Sequence, residues 1–145
     1  MEVLIGRILF VLFSLIIAAA DIKTGMIPRL AFVIAFPLFF ILLCMFGEET
    51  FFPVMAIAGM LVGLFVFLLA YLITGKKLGL ADVWYSALIG MVLGPWWWYA
   101  AIGCACTIGI MYMLISKRQK IPFIPLMALG SIAIVFFLEF LKIFC

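Results

Sequence analysis

The chain has no histidine among its 145 residues. That absence removes Ser–His and Cys–His nucleophilic sites, His-liganded zinc or haem, and any histidine pH switch. Charge is also scarce, at 10% of residues, against about 25% in an average soluble domain. Nine Lys and Arg in all leave no basic footprint for nucleic acid. The four cysteines, Cys44, Cys104, Cys106 and Cys145, form no CxxC pair and lie in apolar stretches. They read as small apolar fillers, not as a metal site or redox motif. No Gly-rich phosphate loop, nucleophile elbow, linker, low-complexity tract or internal repeat is present. Neither a metal nor an organic cofactor is expected.

What the chain has in excess is apolar surface. It is 71% hydrophobic, with 16 Phe, four Trp and four Tyr, and a mean hydropathy of +1.52. A soluble domain of this size cannot bury so much, since short chains hide the smallest fraction of their surface. The expected class is an all-α, polytopic membrane helical bundle forming one domain over residues 1–145, with the lipid bilayer as its solvent.

A helix needs roughly 20 apolar residues to cross the hydrocarbon core. Six stretches approach that length: Val3–Ala20, Leu30–Phe46, Phe51–Ile73, Leu78–Gly94, Trp96–Ile115 and Ile121–Ile143. The fourth is the shortest and has Asp82 near its start. Gly25 and Pro28, Gly47-Glu48-Glu49, Thr74-Gly75-Lys76-Lys77, Gly94-Pro95 and Lys117-Arg118-Gln119-Lys120 mark the breaks. Ala18-Ala19-Ala20 has the small-residue look of a signal cleavage site. Glu2 at the start and the late position of Arg7 argue against that reading, so the segment is taken as the first transmembrane helix.

Basic residues set the orientation. Connections one, three and five hold Lys23, Arg29, Lys76, Lys77, Lys117, Arg118 and Lys120, leaving only Arg7 and Lys142 on the other side. The positive-inside rule puts those connections in the cytoplasm and both termini outside. Trp96, Trp97, Trp98 and Tyr99 then fall at the outer interface, where amphipathic rings prefer to sit. Gly59-xxx-Gly63 and Gly90-xxx-Gly94 are small-xxx-small patterns that let helices approach closely.

Of the six acids, Glu2, Glu48 and Glu49 fall outside, and Glu139 is expected to snorkel or to pair with Lys142 three residues on. Asp21 and Asp82 remain. Topology brings these two, at the end of one helix and the start of another, to one membrane depth on the cytoplasmic face. Ionisable residues at the bilayer edge usually face the bundle interior or a wet cavity. Two facing carboxylates can share a proton, leaving one to activate water and one to donate to a carbonyl oxygen. On topology alone, three readings stand: a peptidase dyad, an ion- or proton-coupling pair in a small transporter, or ordinary helix-end acids.

The residues around the aspartates carry a resemblance. Asp21-Ile22-Lys23-Thr24-Gly25-Met26-Ile27-Pro28 resembles the first aspartate motif of type IV prepilin peptidases, Asp-x-(Lys/Arg)-x-x-x-Ile-Pro. Gly79-Leu80-Ala81-Asp82 resembles the Gly-x-Gly-Asp motif that names the wider class of intramembrane aspartic proteases, with Ala81 at the second glycine. Ile121-Pro122-Phe123-Ile124-Pro125 resembles the Pro-Phe-Gly-Pro segment of that family's last helix, with Ile124 where Gly is common. Arg29 and Trp84 also depart from the family's usual Asn and Lys. The motifs come in the family's order and span most of the chain.

The resemblance implies an aspartic endopeptidase of the cytoplasmic membrane with Asp21 and Asp82 catalytic. Lys23, Ile27, Pro28, Gly79, Ala81, Pro122, Phe123 and Pro125 would support them. Its substrates would be precursors of type IV pilins or pseudopilins, whose short basic leader stays cytoplasmic ahead of a hydrophobic helix. The N-terminal extension of the family's bifunctional members does not precede the first helix here, which implies a minimal peptidase core without methyltransferase activity. A non-catalytic pilin-binding protein is the remaining alternative within the resemblance.

Overall fold

The structure, a computed structural model, describes residues 2–24, 27–46, 52–75, 79–117 and 123–144. Every regular element among them is an α-helix: α1 (Glu2–Thr24), α2 (Arg29–Phe46), α3 (Phe52–Ile73), α4 (Leu80–Ser116) and α5 (Phe123–Phe144). Four of these, α1, α3, α4 and α5, contain stretches long and apolar enough to cross a membrane, and α2 holds a shorter apolar stretch.

The distribution of polarity is that of a protein dissolved in lipid. Large apolar side chains point outward, with Ile16 67%, Val54 70% and Ile143 80% exposed, while Ser14, Ser86 and Ser131 are completely buried. In water that arrangement would be costly. In a bilayer the outer face needs apolar atoms, and helices alone satisfy their own backbone hydrogen bonds.

The fourth and fifth predicted segments are joined in α4. Its 37 residues would measure about 55 Å if straight, nearly twice the roughly 30 Å hydrocarbon core. The helix bends instead at Gly94, which takes φ 82° and ψ 169°, a conformation open in practice only to glycine. Pro95 opens the second arm, where its missing N–H leaves nothing unsatisfied. The bend is sharp. Trp98 Nε1 donates to Ser86 Oγ at 3.0 Å across 12 residues, whose Cα atoms in a straight helix would lie about 18 Å apart. The Gly-Pro pair thus interrupts the helical backbone at Gly94 and sets the two arms of α4 at an angle.

The bundle is built around α4. Its main partner is α3, then α5; α1 rests on α5, and α2 packs more lightly against α1, α3 and α4. The α3–α4 crossing is set by glycines. A Cβ on Gly90 would lie 2.7 Å from the Gly59 carbonyl carbon, and one on Gly63 would lie 2.5 Å from Ser86 O. The backbones meet with no side chain between them, as the small-xxx-small patterns predict. Ser86 Oγ also donates to Gly63 O at 3.3 Å, and Phe67 of α3 packs edge-on against Trp98. Gly130 makes the matching approach of α5 to the second arm of α4, at Ala101 and Ala105.

Two expectations change. Trp98 is 1% exposed and serves as a core side chain, not as an interface anchor; Ser86 gives its N–H a partner inside the bundle. Only its neighbours Trp96 and Tyr99 are well exposed. Glu139 pairs with Arg7 of α1, not with Lys142. A pair between helices on the α1–α5 face removes two charges from lipid contact at once, whereas the exposed Lys142 is near the chain end and can reach out to the polar region.

Candidate active site

Asp82 is the third residue of α4 after Gly79, the N-cap, whose carbonyl accepts from the Asp82 N–H at 3.1 Å. The Asp82 carboxylate folds back over the same residue and accepts from the Gly79 N–H, which is half of a capping box. A carboxylate in the first turn also faces the positive end of the helix dipole. Gly79 is extended, at φ −67° and ψ 138°, so its conformation does not demand glycine. Space is tight instead: a Cβ there would stand 3.1 Å from Asp82 Oδ2, and the carboxylate would have to shift by a few tenths of an ångström. The side chain is 8% exposed.

Asp21 lies in the last turn of α1, the end where the dipole opposes a negative charge, and it is half-buried. No hydrogen-bonding need of α1 calls for an acid at that position. The Asp21 carboxylate is within Coulombic reach of Asp82. The end of α1 and the start of α4 therefore lie at one end of the bundle, near enough for two acids 61 residues apart in the chain to feel each other's charge. Asp82 is fixed and nearly enclosed, while Asp21 is open enough to admit water.

The supporting positions separate by role. Lys23 is exposed beside Asp21. Ile27 packs against the core. Pro28 caps α2, its carbonyl accepting from the Ala31 N–H at 3.0 Å. Ala81 packs against the core beside Asp82. Phe123 opens α5 and packs on Phe67 with ring centres 6.0 Å apart, and Pro125 lies in the same first turn. Pro122, Gly25, Lys76, Lys77, Glu48, Glu49, Arg118 and Lys120 lie outside the described residues. Trp84 is 40% exposed and stacks edge-on against Phe36 of α2, so the second position after Asp82 holds an aromatic contact.

Sequence reading missed a second polar group. Tyr85, one turn after Asp82, is fully buried together with Ser14 of α1 and Ser131 of α5. Its hydroxyl faces those of both serines. The only signal in the sequence was spacing: Tyr85 follows Asp82 by three residues and Ser14 precedes Asp21 by seven, which puts each on the face of its aspartate. Among the described residues, no group of three Cys, Asp or Glu side chains is placed to hold a metal ion. No protein-family model matches the chain, and neither the curated proteins nor the solved structures contain a match.

Proposed function

We propose that the protein is a membrane aspartic endopeptidase that removes the leader of type IV pilin-like precursors at the cytoplasmic face. The observation that carries this reading is the proximity of Asp21 and Asp82 at one end of the bundle, reached from two helices with one acid enclosed and one accessible. Both sit within the motifs that resemble the prepilin peptidase family.

In this reading the chain crosses the cytoplasmic membrane six times, the two arms of α4 counting separately and α2 completing the set. Both termini lie outside. The bend at Gly94 supports that count, and the described basic residues Lys23, Arg29 and Lys117 lie on the connections assigned to the cytoplasm. The precursor's hydrophobic helix enters from the bilayer, with its junction to the basic leader at the depth of the aspartates. One carboxylate takes a proton from water as the water attacks the peptide carbonyl, and the other donates to the carbonyl oxygen. The roles then reverse: the protonated acid delivers its proton to the leaving amine as the C–N bond breaks. The Gly79 N–H holds Asp82 in place throughout, so the reaction does not first have to order that side chain.

The test is cleavage of a purified precursor by the purified protein in proteoliposomes, read by mass spectrometry. The expected products are an intact leader and a mature chain beginning at the hydrophobic helix. Failure to cut any precursor of this class, or cuts scattered along the chain, would reject the proposal.

A further inference from the structure

The helices that carry the two acids have little direct hold on each other. Among the described residues, α1 packs mainly on α5, and α4 mainly on α3 and α5. The separation of Asp21 and Asp82 therefore depends on a tie between α1 and α4 made elsewhere. Deeper in the bundle, below the aspartates, are the three hydroxyls of Ser14, Tyr85 and Ser131, each 0% exposed. Buried hydroxyls are rarely left unpaired in native proteins, yet Ser14 Oγ and Tyr85 Oη have no partner at hydrogen-bonding geometry, although they face each other. Ser131 Oγ donates to Ala128 O at 2.9 Å, so its proton is committed and it has only acceptor capacity to offer. Tyr85 has one proton to give and can also accept.

One arrangement satisfies all three. Ser14 Oγ donates to Tyr85 Oη, Tyr85 Oη donates to Ser131 Oγ, and Ser131 Oγ donates to Ala128 O. Every proton is used once, and the chain runs in one direction from α1 through α4 to α5. We propose that Tyr85 is a positioning residue, which through this chain holds α1 against α4 at the separation that lets Asp21 and Asp82 act on one bond. The inference rests on the peptidase reading for its catalytic consequence, but the tie itself is a matter of geometry and can be tested without catalysis.

Tyr85→Phe keeps the ring and removes the hydroxyl. In protein whose native cysteines are replaced by alanine, Asp21→Cys together with Asp82→Cys reports the α1–α4 separation by oxidative cross-linking in membranes. Adding Tyr85→Phe is expected to slow that cross-linking severalfold. In the wild-type background, Tyr85→Phe is expected to lower kcat for precursor cleavage on the order of 10- to 100-fold, the scale of a misplacement of about 1 Å, with KM unchanged. Ser14→Ala should act in the same direction, and Ser14→Thr, which restores a hydroxyl, should recover the rate.

Unchanged cross-linking in Tyr85→Phe overturns the tie, even if cleavage falls. Equal cross-linking rates for Ser14→Ala and Ser14→Thr in the two-cysteine protein overturn it too, and cover the case in which Tyr85→Phe does not fold. Slowed cross-linking in a protein that cleaves no precursor at all supports the tie and rejects the peptidase reading instead.

Discussion

Gly90→Ala is a severe small change away from the acids. A methyl on Gly90 would stand 2.7 Å from the Gly59 carbonyl carbon, nearer still to its oxygen, and 3.3 Å from the Met60 nitrogen. Ordinary van der Waals contact begins near 3.4 Å, so α3 and α4 must part by about 0.7 Å or more at their crossing. Every atom met is backbone, and none can swing aside. Overpacking of this kind costs about 1–3 kcal/mol, and rigid neighbours put it at the upper end. The separation also removes close Cα–H···O contacts of the kind that hold membrane helices together. Gly103→Ala is the control: its methyl meets nothing within 4 Å, and alanine is the better helix former by about 1 kcal/mol. Unfolding in mixed detergent micelles titrated with dodecyl sulfate should show Gly90→Ala destabilised and Gly103→Ala neutral or stabilised. Gly59→Ala with Gly90→Ala should cost less than the two single changes together, since one displacement accommodates both methyls. Equal stabilities for Gly90→Ala and Gly103→Ala would refute the crossing as described.

Gly79→Ala tests the site in place of the scaffold. Its methyl at 3.1 Å from Asp82 Oδ2 displaces the carboxylate by a few tenths of an ångström, so precursor cleavage should fall while the unfolding midpoint stays within about 0.5 kcal/mol of wild type. The Arg7–Glu139 pair is partly shielded, at 19% and 27% side-chain exposure. Arg7→Met should cost about 1–2 kcal/mol, less than the loss of a fully buried partner. Glu139→Gln should cost less, because the remaining Arg7 can reach toward the polar region. The double change should recover part of the loss, and a double-mutant cycle on the same unfolding assay checks both statements.

The helices were legible because each is a long apolar run, and the bend of α4 because Gly94-Pro95 combines an open backbone with a missing N–H. The aspartates were legible because acids are costly near lipid, and only Asp21 and Asp82 were predicted on the cytoplasmic face. Packing was harder to read. A helix surrounded by lipid on one side and by other helices on the other is apolar all round, so periodicity does not mark its inner face. That is why Trp98 was expected at the membrane interface and is found in the core, and why Glu139 was expected beside Lys142 and pairs with Arg7. In such a helix the inward face is marked by small and hydroxyl side chains. Gly59, Gly63 and Gly90 gave that signal in a recognisable pattern. Ser14 and Ser131 gave it singly, and their convergence on Tyr85 needs the third dimension.

The central claim is that two carboxylates act as one catalytic unit. It is tested most directly by the single-turnover cleavage rate of Asp21→Asn, Asp82→Asn and the double variant, each shown to unfold at the wild-type midpoint. Groups that act together lose nearly everything with the first removal. Each single variant should therefore be as inactive as the double. A single variant that cleaves near the wild-type rate, or a double variant much slower than either single, would contradict the account.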